Sequence, residues 1–336
     1  MRDTEWNTHR EGTFEGAAGL RLYFQSWQPC AEPRAILVLL HGLGGHSGTF
    51  QNVAEYLLPT CVATYAFDLR GHGRSPGQRG HINAWSEFRE DLSAFLRFID
   101  DREQGCPRFL IGHSLGAVII LDYILRSQAN VSGIIALAPA LGKVGVPLVK
   151  LALGRVLSTV WPRFSLDTGI ELTAGSRDRP VLESYLSDPL RHTKGTARLA
   201  TEFFDTVVWI QVHAAELRTP LLILHGGADR IALPEGSQTF VEKVVFSDKE
   251  RREYPGVYHD MCSDLDCLLI LADIRDWLDR HLASSACAIL PDRSEQLSLP
   301  EQIEFHRAKT DRRIFRRWGY PNAHNRRLRD VKRKLI

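Results

Sequence analysis

Ile111-Gly112-His113-Ser114-Leu115-Gly116 is the stretch from which the rest of the chain can be read. Arg108-Phe109-Leu110-Ile111 leads into it as a short apolar run of strand type. Ala117 to Leu125 follows, apolar on most sides and long enough for a buried helix. A G-x-S-x-G pattern between a strand and a helix implies a sharp turn that strains the serine backbone and projects its hydroxyl. Glycine at 112 and 116 is expected because the two arms of such a turn pass close together. The new helix aims its free N–H groups at whatever sits beside Ser114.

Working outward, apolar runs alternate with helical spacing. Residues 12–28 read as an edge hairpin beginning near Thr13-Phe14. Ala35 to Leu40 is continuously apolar, the mark of a strand covered on both faces. It runs into the Gly-rich loop His41 to Gly48 and a helix at about 49–58. Val62 to Phe67 is a third strand, 84–102 a helix, and Gly133 to Ala140 a further strand. The alternation stops from Leu141 to Thr219, where the pattern is helical, and resumes at Pro220. A strand to Leu224, a helix at about 234–245, a short strand Arg252 to Tyr254 and a helix at 264–282 complete it. This order predicts an α/β fold around a mostly parallel sheet with helices on both faces. Residues 1–140 and 220–285 form the core in this reading, 141–219 a helical cap inserted between two late strands, and 286–336 a basic extension. The cap helix near 148–161 has a wide apolar face, suited to packing on the core or to a lid that meets lipid.

The 336 residues are 44% apolar and 24% charged, which fits a soluble globular protein with a full core. The net charge is only +2, yet residues 303–336 carry twelve basic and three acidic side chains. That tail reads as a solvated extension, with an acidic membrane surface as the next reading and nucleic acid not the expected partner. Met1 to Glu15 has no apolar leader, and Val144 to Val160 is broken by Lys150 and Arg155 and is short for a bilayer. A cytoplasmic protein is expected, with peripheral membrane contact as a refinement. Cys30, Cys61, Cys106, Cys262, Cys267 and Cys287 form no C-x-x-C pair and read as reduced, mostly buried thiols. His41, His46, His72, His81 and His113 lack metal-ligand spacing, and no nucleotide-binding glycine motif is present. No metal and no cofactor are expected.

A serine attacks a carbonyl only when a base takes its proton, and that base is usually a histidine oriented by a carboxylate. Asp229 and His259 both follow strands and both come after Ser114, which is the order Ser, acid, His. Asp260, Asp264 and Asp266 are rival acids that do not directly end a strand. His225 ends a strand but precedes the acid, and His281 falls at a helix end. The oxyanion needs two backbone donors: the N–H of Leu115, and one from the Gly-rich loop, with Leu43 the choice.

These segments together resemble the monoacylglycerol lipase and lysophospholipase branch of the α/β-hydrolases. The likeness rests on His41 to Gly48, Phe67 to Ser75, Gly112 to Gly116, Leu224 to Arg230, Tyr254 to His259 and the cap stretch Ser176 to Leu190. It runs from about residue 12 to 282. It implies Ser114, Asp229 and His259 as a triad, with Leu43 and Leu115 as oxyanion donors. One departure is Gly45, where that branch often carries Glu. The expected reaction is hydrolysis of a lipid ester, monoacylglycerol or lysophospholipid, through an acyl-enzyme. An acyltransferase, a peptidase or a non-catalytic ligand-binding scaffold are the alternatives.

Overall fold

The computed structural model describes residues 8–103, 105–142 and 148–287. The basic tail at 303–336 and the first seven residues of the leader reading lie outside them. The described residues fall in one compact unit, residues 1–289.

In chain order the strands of the first half are β1 Thr8–Glu15, β2 Arg21–Gln28, β3 Ala35–Leu40, β4 Val62–Phe67, β5 Arg108–His113 and β6 Gly133–Leu137. Helices α1 Gln51–Leu57, α2 Ser86–Asp100 and α3 Leu115–Ser127 connect the parallel ones. Then come α4 Leu148–Val160, β7 Ser165–Asp167, α5 Arg179–Ser187, β8 Lys194–Thr196 and α6 Ala197–His213. The chain returns with β9 Leu221–Gly226, α7 Pro234–Lys243, β10 Lys249–Tyr254 and α8 Cys267–Cys287. The main sheet runs β1-β2-β4-β3-β5-β6-β9-β10. The β1–β2 and β2–β4 pairs are antiparallel and the other pairs are parallel. β6 and β9 are direct neighbours, so everything between them is an insertion into one sheet.

The continuous apolar runs have a simple cause. Successive side chains of a strand point to opposite faces, and here both faces are covered. Ile36, Val38 and Leu40 of β3 pack on the side of α2 and α3, with Phe88, Phe95 and Ile119. Leu37 and Leu39 pack on the side of α1 and α8, with Leu57, Ile274 and Trp277. β9 divides in the same way, Leu221 and Ile223 to one layer and Leu222 and Leu224 to the other.

Where the structure departs from the sequence reading, the reasons are local. β1 starts at Thr8, because a solvent-facing edge strand needs no apolar pattern at its outer end. β10 starts at Lys249, and its Lys-Glu-Arg-Arg-Glu-Tyr hides the period. Charged residues on an edge also discourage pairing with another chain. β6 ends at Leu137, since Ala138 turns to a φ of 42°. β7 and β8 pair as a small separate sheet inside the insertion, and three-residue strands leave no detectable alternation. α8 starts at Cys267 because Asp264 is used elsewhere, as described below. Among the described cysteines Cys262 is buried, Cys61, Cys106 and Cys267 are half-buried and Cys30 is exposed, against the expected burial. Among the described residues no helix is long and apolar enough to cross a membrane.

Trp277 carries much of the α8 layer: it is fully buried, edge-on to Phe109 at 5.8 Å between ring centroids. Trp277→Ala is expected to destabilise the protein by about 3–5 kcal/mol, read as a lower urea midpoint at unchanged slope.

Candidate active site

β5 ends at His113 and α3 begins at Leu115, leaving one residue, Ser114, to turn the chain. Ser114 adopts φ 53°, ψ −114°, a conformation that costs a side-chain-bearing residue about 1–3 kcal/mol. Its N–H donates to the Leu137 carbonyl at 3.0 Å, which ties the turn to the end of β6. A Cβ on Gly112 would run into the Ala117 amide, the other arm of the turn, as expected. At Gly116 the obstacle is different: a Cβ would strike the Leu40 and His41 carbonyls at the end of β3. The second glycine therefore serves the neighbouring strand rather than the opposite arm.

Asp229 and His259 sit on the loops after β9 and β10. Asp229 is split between two tasks. Its Oδ1 accepts the N–H groups of Ile231 and Ala232 at 2.8 and 2.9 Å, closing the turn before α7. Its Oδ2 accepts from His259 Nδ1 at 2.7 Å. Asp229, His259 and Ser114 are all buried, 3%, 5% and 9% exposed. Burial pushes the Asp229 carboxyl up, but hydrogen bonds from His225 and His259 and the turn amide of Ala232 outweigh it and hold it well below the usual range. For His259, burial pushes the imidazole down, and the hydrogen bond and charge of Asp229, joined by Asp260, push it net upward. His225 donates from Nε2 to the Ala232 carbonyl at 2.8 Å, with Asp229 Oδ2 3.4 Å away. It stands behind the acid rather than competing for the base position. His281 is not a helix-end group: it lies within α8, against Trp277 and beside Asp248.

The Gly-rich loop after β3 is held from both sides. His41 Nε2 accepts from the Leu69 N–H at 3.0 Å, so its Nδ1 donates to the Gly42 carbonyl at 2.7 Å. Burial pushes this imidazole down to about 3, so it stays neutral. From the insertion, the His192 N–H donates to the Gly44 carbonyl at 3.1 Å. Gly44 has φ 72°, and a Cβ there would overlap the His192 carbonyl. His46 Nδ1 accepts from Gly48, so its Nε2 donates to Asp188 at 2.7 Å. Among the described residues neither the Leu43 nor the Leu115 N–H is given to another backbone carbonyl.

Ser114 and His259 open on one cleft. Gly42, Leu43, Leu137, Ile170, Leu172 and Ile231 supply apolar or bare-backbone walls, while Tyr185, Arg191 and Asp260 add polar groups. Spacing along the chain missed several of the side chains around it. His113 Nε2 lies 3.2 Å from the His259 carbonyl and 3.3 Å from Asp260 Oδ1. Removal from water, then the neighbouring His259, push its ring down to about 4. Among the described residues His113, His259 and Asp260 also bring their ligand atoms within 4.8 Å of one another, close enough for a metal group that only folding assembles. Asp264, a rival acid in the sequence, instead clamps the insertion. It accepts from the Arg177 backbone at 2.9 Å and from Arg177 Nε at 2.7 Å, and Ser176 donates to the Ser263 carbonyl at 2.8 Å beside it.

An open, mostly parallel sheet with a strained serine at one strand end, and an aspartate–histidine pair on later loops at the same end, defines an α/β-hydrolase. The chain belongs to the family described as serine aminopeptidase S33, whose model matches residues 31–266. It is 33% identical over 278 residues to the monoacylglycerol lipase of Mycolicibacterium smegmatis, covering 82% of this chain and 99% of that one. The crystal structure of Paleococcus ferrophilus monoacylglycerol lipase is similar with a TM-score of 0.71 and 33% identity, over 77% of this chain and 99% of that one. A soluble variant of monoglyceride lipase from Saccharomyces cerevisiae shares the fold, with a TM-score of 0.73 at 24% identity, over 83% and 97%.

The direction of the His259 shift can be read directly. By NMR its imidazole is expected to titrate above the ordinary value of about 6.5, and Asp229→Asn, which removes the charge that raises it, is expected to move it down.

Proposed function

We propose that the chain is a serine hydrolase that cleaves carboxylic esters of lipids through an acyl-enzyme on Ser114. The observation that carries this is the 2.7 Å Asp229–His259 pair facing the same cleft as the strained serine. His259 takes the Ser114 proton as the hydroxyl oxygen bonds to the acyl carbon. The oxyanion that forms is held by the N–H groups of Leu43 and Leu115. His259 then gives the proton to the departing alcohol, leaving an ester on Ser114. Water repeats the sequence and releases the fatty acid. Asp229 holds the imidazole in the tautomer with Nδ1–H towards it and stabilises the imidazolium that forms. His113 positions the base by donating to its carbonyl.

The alkyl chain suits the apolar walls, where burial is worth about 0.8 kcal/mol per CH₂. The named activities of the relatives agree, and monoacylglycerol or lysophospholipid is the substrate class. Residues 141–219 act as a cap, fixed to the core by Arg177–Asp264 and His46–Asp188. The cap also offers a surface for lipid. Val156, Val160 and Trp161 are 58%, 79% and 60% exposed, and α4 packs on α6, whose Val208 and Val212 are exposed too. We extend the reading to peripheral contact of this face, and of the basic tail, with an acidic membrane surface.

Ser114→Ala is expected to lower kcat at least about a thousandfold on long-chain esters and to abolish labelling by a fluorophosphonate; intact turnover by the variant would refute the assignment. As pH falls below the raised His259 value the base becomes protonated, so kcat/KM should drop about tenfold per unit on the acid side. Val160→Glu with Trp161→Glu should reduce sedimentation with anionic liposomes, and equal binding would remove the cap surface from the reading.

A further inference from the structure

Arg191 follows α5 and lines the cleft that contains Ser114 and His259. Its side chain is 12% exposed. A guanidinium offers five N–H donors and stays charged at any pH a protein survives. Among the described residues the Arg191 guanidinium makes no hydrogen bond, although the backbone N–H donates to the Asp188 carbonyl. Its Nε is buried with no acceptor. The carboxylate within ion-pair range, Asp260 Oδ2, is 3.9 Å from Nη2, too far for a hydrogen bond. What it does have is a platform: the guanidinium carbon lies 3.7 Å from the centroid of the Tyr185 ring. Stacking fixes the plane of the guanidinium without using its N–H groups. A charge withdrawn from water and left without hydrogen bonds is costly. An oxyanion with two oxygens is the group that matches such a fork.

The chemistry of a lipid ester says where that oxyanion sits. The acyl chain is hydrocarbon, and the ester carbonyl belongs at Ser114. A charge in the same cleft must therefore be on the alcohol portion. We propose that Arg191 receives a phosphate on the alcohol side of the ester, so that anionic lysoglycerophospholipids are preferred over neutral monoacylglycerol. This rests on the serine-esterase reading above. Asp260 is the resident counter-charge, and a phosphate displaces it as the partner of Arg191.

The test compares kcat/KM for 1-oleoyl lysophosphatidate and 1-oleoylglycerol in matched mixed micelles, in wild type, Arg191→Gln and Arg191→Lys. The ratio should favour lysophosphatidate in wild type and fall by about tenfold or more in Arg191→Gln. Arg191→Lys, which keeps the charge and loses the fork, should lie between them and serves alone if the Gln variant does not fold. Calorimetry on Ser114→Ala protein gives a readout independent of turnover. Glycerol 3-phosphate should bind where glycerol does not, binding should be lost on adding Arg191→Gln, and Asp260→Asn should tighten it. An unchanged ratio in the Arg191 variants, or weaker binding in Asp260→Asn, overturns the proposal. Inorganic phosphate binding as tightly as glycerol 3-phosphate, with no preference in turnover, would mean a free-anion site and also overturns it. Failure to cleave either lipid, together with no fluorophosphonate label on Ser114, is the separate failure of the esterase reading.

Discussion

The structure depends on how closely β3 and the start of α3 approach each other. Gly116 lies against the Leu40 and His41 carbonyls with no room for a side chain, and Gly112 lies as close to the Ala117 amide. That closeness is what keeps Ser114 at φ 53°. A strained conformation persists only where its surroundings over-determine it. Here two buried strands, the Leu137 carbonyl and a helix buried on most sides do so. The same approach sets Gly42 of the glycine-rich loop against His113 and Ser114.

Several buried carboxylates follow a second rule, that each is satisfied by specific partners. Asp122 is fully buried and accepts from Trp85 Nε1, Arg89 and Arg126. Asp91 is fully buried with Arg70 across it at 2.6 Å and the Ala17 N–H at 2.8 Å. Asp264 is used up by Arg177, and Asp229 by His259 and two amides, with His225 close behind it. These pairs fix the connections between layers; Arg177–Asp264 sets the insertion against the loop that bears the base, and His46–Asp188 sets it against the glycine run. Arg191 stands apart from these pairs: its buried Nε has no acceptor, and it lines the cleft.

The order of strands and helices was legible because both faces of the sheet are covered. Continuous apolar runs such as Ala35–Leu40 and Leu221–Leu224 have no other common explanation in a chain with intervening helical spacing. The edges were read less well. Lys249–Tyr254 is a strand through its hydrogen bonds to β9 rather than through its side chains, and β7 and β8 are too short to carry a period. The candidate triad is legible from residue type, chain order and the ends of strands. The helpers were not legible. His113 has no spacing along the chain that separates it from the other histidines, and Asp264 looks like a rival acid in a sequence that does not show Arg177, 87 residues away, bonded to it.

By itself the sequence determined the alternation of strand and helix, the insertion between β6 and β9, and the turn at Ser114, because these follow from local periodicity and from the steric needs of glycine. Only the tertiary structure decided which polar groups meet. Asp229 with His259, His46 with Asp188, and Arg191 over Tyr185 beside Asp260 join residues on separate elements. A hydrogen bond or a buried charge is governed by distance in space, and nothing in the spacing along the chain encodes that distance.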